Sequence, residues 1–311
     1  NYWSLFTNSS PNGPNSNSSL EYAATPIFDL DPGYHSGTIS LNITCPDFNT
    51  NVHYTTDGSI PNATSNIANG AISVNTNKVI RAIAISSDPN IPNSFIETNT
   101  YFINTTHTIA IISICGDEIT DFINDDLSNA FTDNFNGAIE YFASTGVLID
   151  EGTGDYNKHG NDSWSYDQRG IDFIMKDQEG YNYAIKHPIF RGKDRDKYQR
   201  LIIKAAANDN ISFESGGAHI RDAYVHSLSQ VGGLRLDERS YEPCILYVNG
   251  EYWGVYEIRE KVDDDDFLSR YYDQDEKFSN SPEYIQFLKT WGGTWQQFGS
   301  PNAQSDWNSL L

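Results

Sequence analysis

Hydrophobic and polar positions alternate with a period of two through the first third of the chain. Apolar side chains occupy every second position between residues 39 and 45, at Ile39, Leu41, Ile43 and Cys45. Further extended runs cover residues 52–56, 78–86 and 98–102. Such alternation is typical of strands with one buried face. About seven short strands in roughly 80 residues predict an all-β sandwich over residues 24–104.

Beyond residue 104 the pattern becomes mixed and predicts an α+β domain over residues 105–311. Helical spacing between residues 219 and 231 predicts an amphipathic helix that carries Ile220, Ala223, Tyr224, Ser227, Leu228 and Val231 on one face. Residues 245–248 and 252–258 flank Asn249-Gly250, a pair that accepts the positive φ of a tight hairpin turn.

Two more helices are predicted near the end of the chain. Ser281-Pro282 predicts the start of one helix, because a proline at the first helical position loses no hydrogen bond. Its apolar face would carry Tyr284, Ile285, Leu288 and Trp291. Residues 303–311 predict the second helix, which reaches the last residue given.

The first residues of the chain differ from both predicted domains. Residues 8–19 are almost wholly Asn, Ser, Pro and Gly, a composition that buries too little apolar surface to fold. We therefore predict a linker over residues 8–23. Residues 1–7 contain Tyr2-Trp3-Ser4-Leu5-Phe6, which predicts the last strand of an upstream module and is similar to the exit of a lamin-tail-like domain.

Charge and composition exclude several classes of function. With 42 acidic and 20 basic side chains the net charge is −22, which opposes binding to nucleic acid or to anionic membranes. No apolar run approaches the ~20 residues that a membrane-spanning helix needs. Cys45, Cys115 and Cys244 match no zinc or CxxC spacing, which favours buried thiols, with one disulfide and a spare thiol as the alternative.

The sequence lacks the common catalytic motifs. It contains no Walker loop, GxGxxG, GxSxG or HExxH, and no histidine pair is spaced to hold a metal ion. Asp57-Gly58 predicts a turn in which Asp57 bonds to the backbone, rather than a calcium or sugar site. The four aspartates at 263–266 predict a solvated surface, and calcium or magnesium binding there is the alternative.

The first domain resembles the C-terminal sandwich of chitobiase and β-hexosaminidase, a fibronectin- or immunoglobulin-like module. The most specific part of this resemblance is the turn Tyr54-Thr55-Thr56-Asp57-Gly58-Ser59-Ile60-Pro61. Residues 26–28, 79–82 and 98–102 extend it over the whole module.

The second domain resembles the CotH family of atypical, kinase-like spore-coat proteins. Residues 247–263 read YVNGEYWGVYEIREKVD, close to the family's VNGxYxGxYxxxExxD signature, and Ile220-Arg221-Asp222-Ala223 matches its arginine-aspartate helix. His159-Gly160-Asn161-Asp162-Ser163 stands where the family has a glycine and serine turn before a strand. The resemblance implies phosphate transfer from ATP to Ser or Thr hydroxyls with Mg²⁺.

The resemblance also implies a set of site residues. It places Glu260, Lys261 and Asp263 beside the nucleotide and Arg169 at the phosphates, with Lys176, Lys186 and Lys204 as substitutes for Arg169. Arg221, Asp222, Asn249 and Gly250 would form structural motifs. The family's catalytic aspartate and asparagine and its Trp-Asp-x-Asp metal motif are expected beyond Leu311, so no catalytic residue or metal ligand is assigned and the domain is expected to be truncated.

Two hypotheses for function follow from the sequence. The first is a secreted or cell-surface modular bacterial protein whose CotH-like domain phosphorylates a protein substrate or cell-surface partner. The second is a non-catalytic adhesin or structural surface protein that uses the CotH-like domain as a scaffold. A third possibility, polysaccharide binding through Trp253, Trp291 and Trp295, depends on aromatic residues that equally suit packing.

Overall fold

The structure of the chain is a computed structural model. It describes residues 22–124, 134–160, 162–177, 179–210, 216–234, 236–263, 265–272, 287–290, 293–298 and 302–310. The upstream strand predicted over residues 1–7, and the linker as far as residue 21, lie outside the described residues. Ala23 donates a backbone hydrogen bond to Pro92, so the described part begins already attached to the first domain.

The first domain is built only from strands among the residues described. They are β1 (Ile27–Phe28), β2 (Gly33–His35), β3 (Ile39–Leu41), β4 (Ile43–Thr44), β5 (Thr50–Thr55), β6 (Asn66–Ile67), β7 (Ile72–Val74), β8 (Lys78–Ser86) and β9 (Glu97–Ile103). Five of them form a sheet in the order β2-β9-β8-β5-β6, and β1 pairs with β4 and β3 with β7. The predicted all-β domain is confirmed.

One predicted strand and one predicted turn of this domain can be compared with the structure. The predicted strand over residues 39–45 is divided, because Asn42 donates to the Asp29 carboxylate from its backbone (2.8 Å) and its side chain (2.7 Å). The turn at Asp57 is confirmed. The Asp57 carboxylate accepts hydrogen bonds from the Ser59 backbone and hydroxyl, and Gly58 has φ 83°.

Seven strands of the second domain close into a barrel. They are β10 (Ala110–Cys115), β11 (Phe135–Phe142), β12 (Leu148–His159), β13 (Gly170–Lys176), β14 (Arg200–Lys204), β15 (Tyr241–Val248) and β16 (Glu251–Glu260). Their order is β10-β11-β12-β13-β14-β16-β15, and the parallel pair β10 and β15 closes the ring. The interior holds a large apolar core that includes Ile171, Ile203 and Ile258.

Short helices and one hairpin lie outside the barrel. They are α1 (Ile119–Asn124), α2 (Arg221–Val231), α3 (Asp265–Tyr272), β17 (Phe287–Thr290), β18 (Thr294–Phe298) and α4 (Ala303–Leu310). The described residues are therefore mostly β. No helix among them combines the length and the apolar character of a membrane span.

Most predicted elements of the second domain are present. Asn249 (φ 49°) and Gly250 (φ 81°) form the tight turn between β15 and β16, and the last predicted helix corresponds to α4. The helix predicted to carry Leu288 is wrong there, because Leu288 lies on β17 and pairs with Gln296 of β18. Residues 290–295 contain Thr, Trp and a Gly-Gly pair, a composition that favours a hairpin. The helical spacing of the residues before this segment led to the prediction of a helix instead. Residues 281–286 and 291–292 lie outside the described residues.

Helix α2 is confirmed, but its apolar stripe does not face the protein interior. Ala223 is buried, whereas Tyr224 is 59% and Val231 87% exposed. An amphipathic stripe usually marks the buried face of a helix. Here the helix lies against a charged surface of the barrel and is attached to it by ion pairs.

The sandwich packs directly against the barrel. Phe102 of β9 contacts Phe142 of β11 and Tyr247 of β15, with ring centroids 5.2 and 4.7 Å apart. Thr100 donates its backbone N–H to Glu140 of β11 at 2.9 Å. We call this surface, formed by β8 and β9 against β10, β11 and β12, the junction.

Candidate functional site

The outward-facing side chains of β13, β14 and β16 form a charged surface. Side chains alternate between the two faces of a strand. Because Ile171, Ile203 and Ile258 point into the barrel core, their neighbours Asp172, Lys204 and Arg259 point outward. The backbone register places Lys204 beside Glu257, so acidic and basic groups alternate across this face.

An ion pair connects this surface to α2. The Lys204 ammonium lies 2.6 Å from the Asp222 carboxylate, and the Lys204 side chain is only 15% exposed. Asp222 also contacts Arg259 at 3.1 Å and His226 at 3.4 Å. These groups, with the His226 contact strongest, hold the pKa of Asp222 well below its usual range although burial opposes them. Asp222 is therefore ionised at neutral pH and fixes the Lys204 ammonium.

A second aspartate holds the start of α2 in place. The Asp209 carboxylate accepts hydrogen bonds from the backbone N–H groups of Ala218 and Arg221, both at 2.8 Å. It also forms an ion pair with the Arg221 side chain at 3.1 Å. Arg221 and Asp222, adjacent in the predicted motif, thus have different partners. Sequence reasoning missed Asp209, whose position 12 residues before the helix carries no local capping signal.

Glu260 is a buried structural group. It is fully inaccessible to solvent and accepts hydrogen bonds from Arg195 and Tyr271, both at 2.9 Å, and from Ser240 at 3.1 Å. Arg195 in turn contacts Asp266 at 2.8 Å. The Glu260 side chain therefore ties the end of β16 to its surroundings, and its backbone N–H donates to Ser240 O at 3.3 Å.

Lys261 and Asp263 belong to one chain of ion pairs. Lys261 donates to Asp172 at 2.7 Å and lies 3.5 Å from Asp263. Asp263 also pairs with Lys289. Burial alone would raise the pKa of Asp263, but Lys261 and Lys289 lower it to about 2. The predicted solvated aspartate surface is therefore wrong at Asp263 and Asp266, whose side chains are largely buried because Asp263 pairs with lysines and Asp266 with Arg195.

The charges of three cations act on His159 at the end of β12. Burial is the main reason why the pKa of His159 lies well below its ordinary value, and the charges of Lys261, Arg239 and Lys204 lower it further. We call Lys204, Arg239 and Lys261 the cationic cluster. Lys204 and Lys261 are themselves paired with Asp222 and Asp172, so the cluster would offer an anion such as phosphate cations that are already fixed in position near the glycine turn at Gly160 (φ 99°).

The other cations considered from the sequence do not join this cluster. Arg169 donates to the carbonyl oxygens of Trp164 at 2.8 Å and Ile123 at 2.6 Å. Lys176 pairs with Asp155, and Lys186 donates to Asn182 at 2.9 Å. The nucleotide-binding role inferred for Arg169 stays a prediction, but its guanidinium is already held by backbone groups.

Asn249 and Gly250 fix the hairpin turn to the rest of the molecule. The Asn249 amide donates to Gly116 O at 3.2 Å and to Thr120 Oγ1 at 2.9 Å. A side chain at Gly250 would meet the backbone of Lys78 and Val79 in the sandwich. This motif therefore joins three parts of the chain.

Metal and thiol chemistry have few candidates. Within the described ranges, no three His, Cys, Asp or Glu side chains are grouped so as to hold a metal ion. All three cysteines are free thiols, Cys115 and Cys244 buried and Cys45 half-buried. The expectation of thiols rather than a disulfide is confirmed.

Comparison with known families agrees with this geometry. Residues 158–308 match the family model described as CotH kinase protein, and residues 30–95 match that of the chitobiase/beta-hexosaminidase C-terminal domain. The chain carries a CotH domain. Both resemblances inferred from the sequence are thus confirmed, in the order sandwich then CotH domain. Comparisons with curated proteins and with solved structures returned no significant match.

The CotH match begins at the end of β12, immediately before the glycine turn, and ends within α4. It therefore contains Lys204, Asp222, Arg239 and the hairpin of β15 and β16. Strands β10 and β11, which close the barrel and meet the sandwich, precede the matched residues.

Proposed function

We propose that this protein is a modular secreted or cell-surface protein whose CotH domain transfers phosphate from ATP to Ser or Thr hydroxyls of a protein substrate. The observation that supports this most is the contact of 2.6 Å between Lys204 on β14 and Asp222 on α2. In protein kinases a lysine on a central strand, paired with an acidic residue of the next helix, holds the ATP phosphates below a glycine-rich turn. In support of this, a glycine turn at Gly160, Lys204 on β14 and Asp222 on α2 follow one another in that order along the chain.

Lys204 is the residue that we propose for phosphate binding, in preference to Arg169. Its ammonium belongs to the cationic cluster and is oriented by Asp222, which Arg259 holds in turn. Aspartate is one methylene shorter than the glutamate of protein kinases, and the short Lys204 contact shows that α2 lies close enough to compensate. Arg239 would add positive charge where the phosphates would lie.

Residues 261–263 would meet the base of the nucleotide through their backbone. The side chains of Glu260, Lys261 and Asp263 are occupied by Arg195, Asp172 and Lys289. Their proposed role is therefore to fix the segment after β16 so that its N–H and C=O groups present a constant hydrogen-bonding edge.

ATP would supply the transferred phosphoryl group, and Mg²⁺ would neutralise charge that develops on it. Lys204 and Arg239 are the residues that we propose would hold the phosphates. The Mg²⁺ ligands and the catalytic base are not assigned to any of the described residues.

The test is calorimetric titration of the 311-residue chain with ATP in the presence of Mg²⁺. We expect binding that Lys204→Met weakens at least about tenfold, since a phosphate contact would lose its charge. Lys186→Met is the matched control, because Lys186 is an exposed lysine outside the cluster, and it should bind as the wild type does.

Absence of ATP binding by the wild type, or equal binding by folded Lys204→Met, would contradict the proposal. The non-catalytic adhesin or scaffold hypothesis would then stand. Incorporation of labelled phosphate from ATP into the protein or an added substrate tests the transfer step separately from binding.

A further inference from the structure

A cleft of about 620 Å³ lies where the sandwich meets the β15–β16 turn. The sandwich contributes Asp57, Asn77 and Lys78, and the second domain contributes Thr120 of α1 and Glu251 and Tyr252 of β16. This volume is in the range of small-ligand sites, which often lie between domains. None of the residues that line it belongs to the cationic cluster.

The cleft has rigid walls. A side-chain atom at Gly58 would lie 2.0 Å from the Asn249 amide, and one at Gly250 would lie 2.7 Å from the backbone of Val79. The Ile60 N–H donates to Asp117 at 2.5 Å and so ties the Asp57 turn to the barrel. Because the two walls are fixed to each other, little binding free energy would be spent on ordering them when a ligand binds.

Tyr252 offers a large aromatic surface inside this cleft. It is 54% exposed, and the ring of His107 stacks behind it with centroids 5.8 Å apart and an interplanar angle of 13°. His107 is itself held by a contact of 2.9 Å with the Tyr247 hydroxyl. Tyr252 also lines a second cleft of about 390 Å³ beside Trp253 and Gln168. The ring is therefore positioned by its neighbours while remaining open to two cavities.

Charged groups next to Tyr252 are available to a ligand. Within the described part of the chain, neither the Lys78 ammonium nor the Glu251 carboxylate forms an ion pair or a side-chain hydrogen bond. Asp57 has a pKa below its ordinary value, first because of Ser59 and in part because of Lys78, so it is an ionised acceptor. The cleft thus combines hydrogen-bond donors and acceptors with one aromatic face.

We propose that this cleft binds a neutral or amino-sugar oligosaccharide. A sugar ring presents an apolar C–H face that stacks on an aromatic ring, and hydroxyls that both donate and accept hydrogen bonds. Tyr252 supplies the stacking contact, and Lys78, Asp57 and Glu251 supply the hydrogen bonds to the hydroxyls. Two carboxylates against one ammonium, in a chain of charge −22, disfavour acidic glycans.

The proposal concerns a different surface from the nucleotide site and differs from the sugar-binding possibility considered from the sequence. That possibility used Trp253, Trp291 and Trp295. Trp253 packs partly against the barrel core, and Trp295 lies on β18. The structure instead selects Tyr252, the aromatic residue at the cleft, as the stacking group.

The experiment is binding of the full 311-residue chain to immobilised oligosaccharides of three kinds. The probes are neutral cello- and manno-oligosaccharides, amino-sugar chito-oligosaccharides, and acidic oligogalacturonates. We expect binding to at least one neutral or amino-sugar series and none to the acidic series. Tyr252→Ala should weaken it about tenfold or more, and Tyr252→Phe should retain it because the ring remains.

Tyr224→Ala is the matched control, since Tyr224 on α2 is similarly exposed at 59% and distant in sequence from the cleft-lining residues. It should bind as the wild type does. Lys78→Ala tests the polar contact and should weaken binding less than Tyr252→Ala.

Failure of the wild type to bind any of the neutral or amino-sugar probes, or undiminished binding by Tyr252→Ala, would overturn the proposal. Titration of Tyr252→Ala with ATP should match the wild type, which separates this result from the fate of the proposed kinase function.

Discussion

The junction and the charged outer face of the barrel bury ionisable groups in opposite ways. On the outer face, Asp222 has cations within 3.1 Å and Asp263 lies between two lysines, so both carboxylates are ionised. At the junction, Glu140 is 1% exposed and its hydrogen-bond partners are Thr100 and Ser113. A buried carboxylate can be accommodated either by an opposite charge or by retaining its proton.

Three glutamates at the junction are accommodated by retaining their protons. Glu140 and Glu151 are cross-strand partners on β11 and β12, and Glu97 comes from β9 of the sandwich. Burial is the first cause that raises their pKa values, to about 7 for Glu97, about 8 for Glu140 and about 9 for Glu151. Mutual repulsion adds to the shift in Glu140 and Glu151, while Tyr181 opposes it in Glu97.

The groups that face these glutamates come from both domains. Tyr181 donates to Ile96 O at 3.0 Å and lies 3.4 Å from Glu97, and Thr100 bridges Glu140 and Ser113. The buried cation on this side is Arg81, which donates to Gly58 O at 3.1 Å. No carboxylate pairs with Arg81 among the described residues. The three junction glutamates are therefore accommodated by retaining their protons rather than by pairing with a cation.

The largest effect is expected on the outer face, from Arg259→Met. Arg259 is 1% exposed and contacts Glu257 at 3.0 Å and Asp222 at 3.1 Å. Methionine fills similar space but leaves the buried Glu257 without its cation. We expect a loss of about 3–5 kcal/mol in the free energy of unfolding, measured by urea denaturation at pH 7.

Arg191→Met is its control. The Arg191 side chain is 89% exposed and pairs with Glu242 at 3.3 Å. Because the Arg191 side chain is almost fully solvated, this pair contributes little, and the change should remain within about 0.5 kcal/mol. Equal effects of the two variants would show that the outer face does not depend on buried ion pairs.

The next effect is a change in pH dependence at the junction, from Glu140→Gln. The folded state raises the pKa of Glu140 from 4.5 to about 8 and so binds a proton that the unfolded chain releases. This proton uptake contributes to the free energy of unfolding in full below pH 4.5, and the contribution is lost as the pH rises towards about 8. The glutamine side chain in this variant would retain a neutral hydrogen-bonding group without a titrating proton. Denaturation between about pH 5 and 9 should therefore show a shallower loss of stability than in the wild type.

Glu251→Gln provides the comparison, because Glu251 is an exposed glutamate outside the junction. Its stability curve should run parallel to that of the wild type. If the Glu140→Gln curve is also parallel over this range, the junction is not held by protonated carboxyl groups.

The smallest effect is expected for Asp263→Asn, with the opposite sign in pH. Lys261 and Lys289 lower the pKa of Asp263 from 3.8 to about 2, so its contribution is present above pH 3.8 and is lost as the pH falls through about 2. The variant should be less stable than the wild type at pH 7, and the difference should close in acid. Acid denaturation followed by circular dichroism measures this. Asp194→Asn, at a side chain 84% exposed, should show no such difference at either pH.

Local sequence signals predicted much of the fold and little of the site. The alternation in β8, the Asn249-Gly250 turn and the spacing of α2 each depend on neighbouring residues, so they were legible in one sequence. The pairing of Ile111 with Ile245, which closes the barrel, joins residues far apart and had no local signal. The choice of Lys204 over Arg169 likewise required the position of Asp222.

The sequence by itself determined the two-domain order, the strands of the sandwich, the hairpin and the family to which the second domain belongs. These features follow from periodicity, turn chemistry and motif spacing within short segments. Only the tertiary structure decided which charges meet, namely that Asp222 joins Lys204 and Arg259 while Glu140 and Glu151 meet each other. A charged side chain has the same appearance in a sequence whether it ends beside a cation, a carboxylate or water, and its desolvation and its partners are fixed only when distant strands come together.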